Sequence, residues 1–167
     1  MKNDRSELRI KTGKEMSAGG VVYRKNGDGS ASSAGQGVFI LLIMPAPRES
    51  ATREAFRPVW TFPKGWVGDH TDETMEQTAL REVKEEGGVE AKIIESLGEV
   101  KYFFRWQGEN IFKTVEFFLM EYVSGDPADH DHEVDEAKWV PLEQVEEILT
   151  YKEDKEIFAK AKKILEK

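Results

Sequence analysis

An α/β or α+β sandwich is the fold class this chain predicts, on three observations. Strand-like segments lie on both sides of its middle, one strongly acidic helical segment separates them, and two further helical patterns close the chain. With 167 residues, 39% of them hydrophobic, the chain is long enough for one good core and short for two, so residues 1–167 are expected to form a single domain. No segment approaches the about 18 apolar residues of a spanning helix. The start, MKNDRSELRIKTGKE, lacks the apolar core of a secretory leader, and the expected compartment is the cytoplasm. The absence of cysteine excludes disulfides, thiolate catalysis and cysteine-ligated zinc. A net charge of −8 argues against a general nucleic-acid groove, which needs a basic surface.

The elements follow in order. SAGGVVYR (17 to 24) and GVFILLIM (37 to 44) read as strands, the second as a near-continuous apolar run suited to a buried position. The Gly/Ser-rich stretch between them, within 26–37, is expected to be a flexible loop. A second loop, 45–59, carries Arg48, Arg53 and Arg57, whose planar guanidinium groups match phosphate oxygens, and is expected to close over the distal phosphates or second nucleoside of a substrate, a mobile loop being the competing reading. Short strands are expected at 91 to 95, 99 to 106, 112 to 123 and 137 to 140. The final helices are expected at 141 to 149 and 153 to 166, the latter apolar at Ile157, Phe158, Ala161, Ile164 and Leu165.

The most informative element is the helix expected at 75 to 86. Thr74 with Gln77 forms a capping box, and Gly87 and Gly88 mark the stop. At about 100° per residue, Glu82, Glu85 and Glu86 fall within a third of the circumference. Ala79, Leu80 and Val83 lie mostly beside them, so one flank packs on a core while the glutamates face a cleft. Like charges at such spacings destabilise a helix by a few tenths of a kcal/mol per pair, on the order of 0.3. A divalent cation would compensate, and hard carboxylate oxygens suit magnesium, manganese or calcium better than zinc. A solvated charged face is the competing reading.

The order of residues here resembles the signature of the Nudix hydrolases: Glu73, seven residues, then Arg81, Glu82, Val83, Lys84, Glu85, Glu86, Gly87, Gly88 and Val89, preceded by WTFPKG from 60 to 65. One departure is visible, because seven residues separate Gly65 from Glu73 where the family usually has five. The resemblance implies a Nudix α/β/α sandwich with a mixed sheet and a central catalytic helix. It also implies a magnesium site, with manganese as a substitute, formed by Glu82, Glu85, Glu86 and the Gly65 carbonyl. Glu82 is then a candidate general base, and Arg81 is held by Glu73. In several branches a glutamate shortly before a basic-Trp-aliphatic strand completes the metal site or acts as the base; Glu133, before Lys138, Trp139 and Val140, stands in that place. His130 and His132 are weaker candidates as ligands of a transition metal.

The segment KTVEFFLMEY, 113 to 122, resembles the diadenosine tetraphosphatase branch, which implies phosphate contact by Lys113, with Lys64 a second candidate. Tyr102 and Trp106, and less so Phe104 and Phe118, are candidates for stacking on a base. The resulting expectation is magnesium-dependent hydrolysis of a diphosphate linkage in a nucleoside polyphosphate, with a dinucleoside polyphosphate first. An oxidised deoxyguanosine triphosphate comes second, a capped or 5′-triphosphorylated RNA end third, and a binding module without catalysis last. The expected partner is a small nucleotide and not a membrane, with the chain acting as a monomer or homodimer.

Overall fold

The computed structural model describes residues 14–26, 37–47, 57–68, 72–106 and 108–167. Among them lie, in order, β1 (Lys14–Asn26), β2 (Gly37–Pro45), β3 (Lys64–Trp66), α1 (Met75–Gly87), β4 (Val89–Trp106), β5 (Glu109–Gly125), a 3₁₀ turn (Pro127–Asp129), β6 (Val134–Pro141), α2 (Leu142–Ile148) and α3 (Lys152–Leu165). The sheet runs β4-β5-β1-β2-β6, with the short β3 added to β1. β1 pairs parallel with β5, and every other pairing is antiparallel, so the sheet is mixed.

Alternation along β1 explains the two layers, because successive side chains in a strand point to opposite faces. Val21 and Tyr23 join Ile40, Leu42, Val115, Phe117 and Leu119 in a core closed by Val145, Ile157, Phe158 and Ala161 of α2 and α3. Ala18 and Val22 point the other way, with Leu41, Phe118 and Met120, and are covered by Ala79 and Val83 of α1. Gly20 lets α1 approach: a Cβ there would stand 2.8 Å from Val83 Cγ2 and from Met120 Sδ, so the helix seats directly on the strand.

The helices match the sequence expectation to within a residue or two at each end. The strands depart from it in two ways. The separate strands expected at 91 to 95 and 99 to 106 are one strand, β4, which pairs with β5 throughout and shifts register at Glu90/Ala91, Ile93/Glu95 and Ser96/Gly98. Each bulge inserts a residue and breaks the two-residue period, which makes one bent strand read as two. β3 has only three residues, too few to show a period. No helix among the described residues is long and apolar enough to cross a membrane.

Candidate active site

The site begins with α1, whose start is fixed by its cap. Thr74 Oγ1 accepts from the Gln77 amide at 3.1 Å, and the Gln77 side chain accepts from the Thr74 amide at 3.0 Å. At the other end Gly88, at φ 74°, takes the left-handed conformation that stops a helix, and its amide donates to Lys84 O. Between these limits the apolar flank is buried and Glu82, only 5% exposed, turns toward β3.

Arg81 gathers the acidic groups. Its Nε donates to Glu73 at 2.9 Å, and its Nη1 donates to Glu82 Oε1 at 2.8 Å and to Glu85 Oε2 at 3.2 Å. Nη2 lies 3.5 Å from Trp66 O, which ties the helix to β3. Burial alone would lower the pKa of this guanidinium. The Glu73 hydrogen bond and the surrounding carboxylates outweigh it and raise the pKa, so Arg81 is permanently charged. Glu73 thus stays bonded to Arg81 despite the longer segment before it, of which residues 69–71 lie outside the described part.

β3 supplies the opposing wall. Gly65 pairs with Ala18, and its Cα stands so close to Glu82 that any Cβ would overlap the carboxylate. The neighbouring Lys64 amide donates to Glu86 Oε2 at 3.0 Å. Desolvation, opposed by Arg81 and reinforced by Glu85 and Glu133, pushes Glu82 up to about 7. Desolvation, with the charge of Glu82 next, pushes Glu86 up to about 8, although part of that side chain meets solvent. Two carboxylates this reluctant to ionise together are what a divalent cation would relieve, so the donor set fits a hard metal ion. As the side chains stand, no group of three or more Asp, Glu or His among the described residues is gathered closely enough to hold one, since Arg81 draws Glu82 and Glu85 to itself.

Glu133 is delivered by the loop before β6. The Asp131 amide donates to Glu85 O at 2.7 Å, Asp131 Oδ1 accepts from the Glu133 amide at 3.0 Å, and Glu133 O accepts from the Ala46 amide at 2.9 Å. The exposed Glu133 carboxylate therefore sits where its charge acts on both Glu82 and Glu86. His130 Nδ1 contacts Asp131 O at 2.8 Å and His132 is exposed, so neither imidazole joins the glutamates in a cluster.

The substrate candidates divide. Tyr102 and Lys113 are direct cross-strand partners, hence on one face, and Lys64 Nζ lies 5.6 Å from the centre of the Tyr102 ring. Lys64, Tyr102 and Lys113 are thus neighbours. Trp106 lies four residues farther along β4, opposite Glu109 near the end of the hairpin, and its side chain and that of Phe104 lie outside the described residues. Phe118 is 3% exposed in the core beneath α1 and has no face free for a base, which removes it from the candidates. Arg48 and Arg53 fall outside the described residues, and Arg57 is exposed.

Two residues escaped the sequence reading. Asp154 is fully buried in the first turn of α3, where it accepts from Thr61 Oγ1 at 2.6 Å and from the Tyr102 hydroxyl, and Thr61 Oγ1 accepts from Lys64 Nζ at 2.8 Å. A charged residue in line with Ile157, Phe158 and Ala161 was the available signal, since a carboxylate on the apolar side of a helix needs partners.

Comparison with known proteins agrees with this geometry. Residues 15–161 match the model of the NUDIX domain. A protein described as a mutator protein, MutT4, of Mycobacterium tuberculosis (strain CDC 1551 / Oshkosh) is 33% identical over 163 residues, covering 98% of this chain; the chain spans 60% of that relative's length. Among solved structures, a binary complex of the Caenorhabditis elegans Ap4A hydrolase superposes with a TM-score of 0.65 at 28% identity, over 92% of this chain and 98% of the other. The NUDIX domain of Shewanella oneidensis NrtR, complexed with ADP ribose, gives 0.64 at 22% identity over 91% and 88%, and shows the shared fold alone. A family model spanning nearly the whole chain, set on an unbroken acidic helix and its glycine partner strand, establishes that this chain belongs to the Nudix family.

Proposed function

We propose that the chain hydrolyses a diphosphate linkage in a nucleoside polyphosphate, with magnesium or manganese bound by Glu82, Glu85, Glu86, the Gly65 carbonyl and Glu133, and that a dinucleoside polyphosphate such as diadenosine tetraphosphate is its substrate. The observation that carries the reading is the desolvated pair Glu82 and Glu86, pressed between α1 and β3 with Arg81 across one end.

A bound cation would supply neutralisation of the phosphate charge that otherwise repels an incoming oxygen nucleophile. The chain's own residues do the rest. Arg81, anchored by Glu73, fixes where Glu82 and Glu85 point. Glu82 is the first candidate for the base that takes a proton from water, and the exposed Glu133 is the second. Lys64 and Lys113 place positive charge beside Tyr102, where the phosphate chain would lead to a nucleoside stacked on the ring. The similarity to an Ap4A hydrolase at 28% identity over nearly all of both chains supports the dinucleotide.

Cleavage of an oxidised deoxyguanosine triphosphate is the second reading. It draws on the 33% identical relative described as a mutator protein, since failure to remove a miscoding nucleotide produces mutation. Specificity constants for diadenosine tetraphosphate, oxidised dGTP and dGTP, with products resolved by chromatography, decide between them. The first reading expects fast dinucleotide cleavage. The second expects the oxidised nucleotide to be preferred over dGTP by about ten- to hundredfold, because a site built around its altered edge leaves polar groups unpaired with the normal base.

A further inference from the structure

We infer that Asp154 is a positioning residue: through Thr61 and Tyr102 it holds the Lys64 ammonium and the Tyr102 ring as a preset pair, and so governs how tightly a nucleotide is held rather than how fast its bond is cut. The inference rests on the nucleotide-hydrolase reading above and deepens it.

A fully buried carboxylate in an apolar layer is costly unless hydrogen-bonded, and a well-packed apolar residue at the same place is often no less stable. Stability alone therefore gives little reason for Asp154. The helix gives little more: an acidic group in a first turn is favourable there, but the bonds Asp154 accepts come from Tyr102 on β4 and Thr61 before β3. Both partners lead to the Lys64–Tyr102 pair proposed above to hold the nucleotide. Tyr102 donates its hydroxyl and so has its ring plane fixed; the buried carboxylate keeps that phenol protonated, since burial first and the Asp154 charge next raise its pKa. Thr61 donates its one proton to Asp154 and leaves its oxygen to accept from Lys64 Nζ. The ammonium is thereby placed 5.6 Å from the centre of the Tyr102 ring, with a countercharge one hydroxyl away.

The segment from Trp60 to Lys64 is braced on its other sides. The Trp60 amide donates to Thr150 Oγ1 at 2.9 Å, the Thr150 amide to Trp60 O at 3.1 Å, and the Gly20 amide to Pro63 O at 3.1 Å. The Lys64 amide reaches Glu86. The backbone that serves the glutamates thus has supports independent of Asp154, whereas the Lys64 ammonium takes its placement from the Thr61–Asp154 link. Loss of Asp154 should loosen substrate contact and leave the glutamates in place.

The test is kinetic, with binding as a second measurement. Asp154→Asn should raise KM for diadenosine tetraphosphate, and the calorimetric Kd for ADP with magnesium, by about tenfold, with kcat within about twofold of wild type. In a Lys64→Ala/Tyr102→Phe background the same substitution should change neither, because the ammonium and the hydroxyl through which Asp154 acts are gone. If Asp154→Asn does not fold, Thr61→Val, which cuts the link to Lys64 and leaves the Tyr102 bond, carries the same expectation. An unchanged KM and Kd, or an equal effect in both backgrounds, overturns the inference while wild-type turnover leaves the proposed function standing. A wild-type chain that neither binds nor cleaves any of the nucleotides overturns both.

Discussion

Glu86 is the residue on which charge, burial and proposed chemistry meet. Its pKa near 8 and that of Glu82 near 7 lie above the ordinary carboxylate value of 4.5, so the folded protein binds more protons than the unfolded chain between about pH 4.5 and pH 8. Stability of the chelated protein should therefore fall as pH rises through that window, which thermal melts at pH 5, 6, 7 and 8 in chelator would measure. A constant or rising melting temperature would show that the carboxylates are not strained. Cation binding should expel those protons, so affinity for magnesium should increase from pH 6 to pH 8. Calorimetry in two buffers of different ionisation enthalpy counts the protons released. Glu86→Gln keeps an oxygen to accept from the Lys64 amide and removes the charge. Turnover should drop by about two orders of magnitude or more, with a melting temperature at pH 8 equal to or above that of wild type. A collapse of the fold would make the acidic face structural.

The contact between α1 and β3 is where elements make a site from residues that are nothing special apart. Gly65→Ala should lower turnover at least about tenfold, because the added methyl group must displace the Glu82 carboxylate. Gly37→Ala is the matched control: among the described residues its Cβ would meet nothing nearer than Phe39 Cε2 at 4.0 Å, and activity should be unchanged. Equal activity in both variants would remove Gly65 from the site. The sequence revealed α1 almost completely, since its cap, stop and acidic arc are local patterns that depend on spacing alone. β3 left no such trace: three residues carry no period, and only pairing with β1 makes them a strand. The bulges of β4 hid its continuity for a related reason, because register is a property of two strands.

Across the whole molecule, the sheet order brings together residues that sequence spacing keeps apart. Lys64, Tyr102, Lys113 and Asp154 come from four segments and meet on the face of the sheet opposite α1. The lysines and the tyrosine were candidates from the sequence. Asp154 was not, because its partners lie 52 and 93 residues away. Trp106, another aromatic candidate, is carried by its strand toward the hairpin end, and its side chain lies outside the described residues. Lys113→Ala should reduce the specificity constant for diadenosine tetraphosphate about tenfold or more, through lost charge stabilisation of the polyphosphate, and affect dGTP less. An equal effect on both would separate Lys113 from the dinucleotide.

The central claim, that the acidic face of α1 is a metal-dependent site for diphosphate hydrolysis, is tested most directly by turnover of diadenosine tetraphosphate by wild type and Glu86→Gln, with magnesium and then with excess chelator. Rapid cleavage by wild type with magnesium, falling to background in chelator and in the variant while both proteins stay folded, is the predicted result. Full turnover in chelator, or a fully active Glu86→Gln, would contradict it.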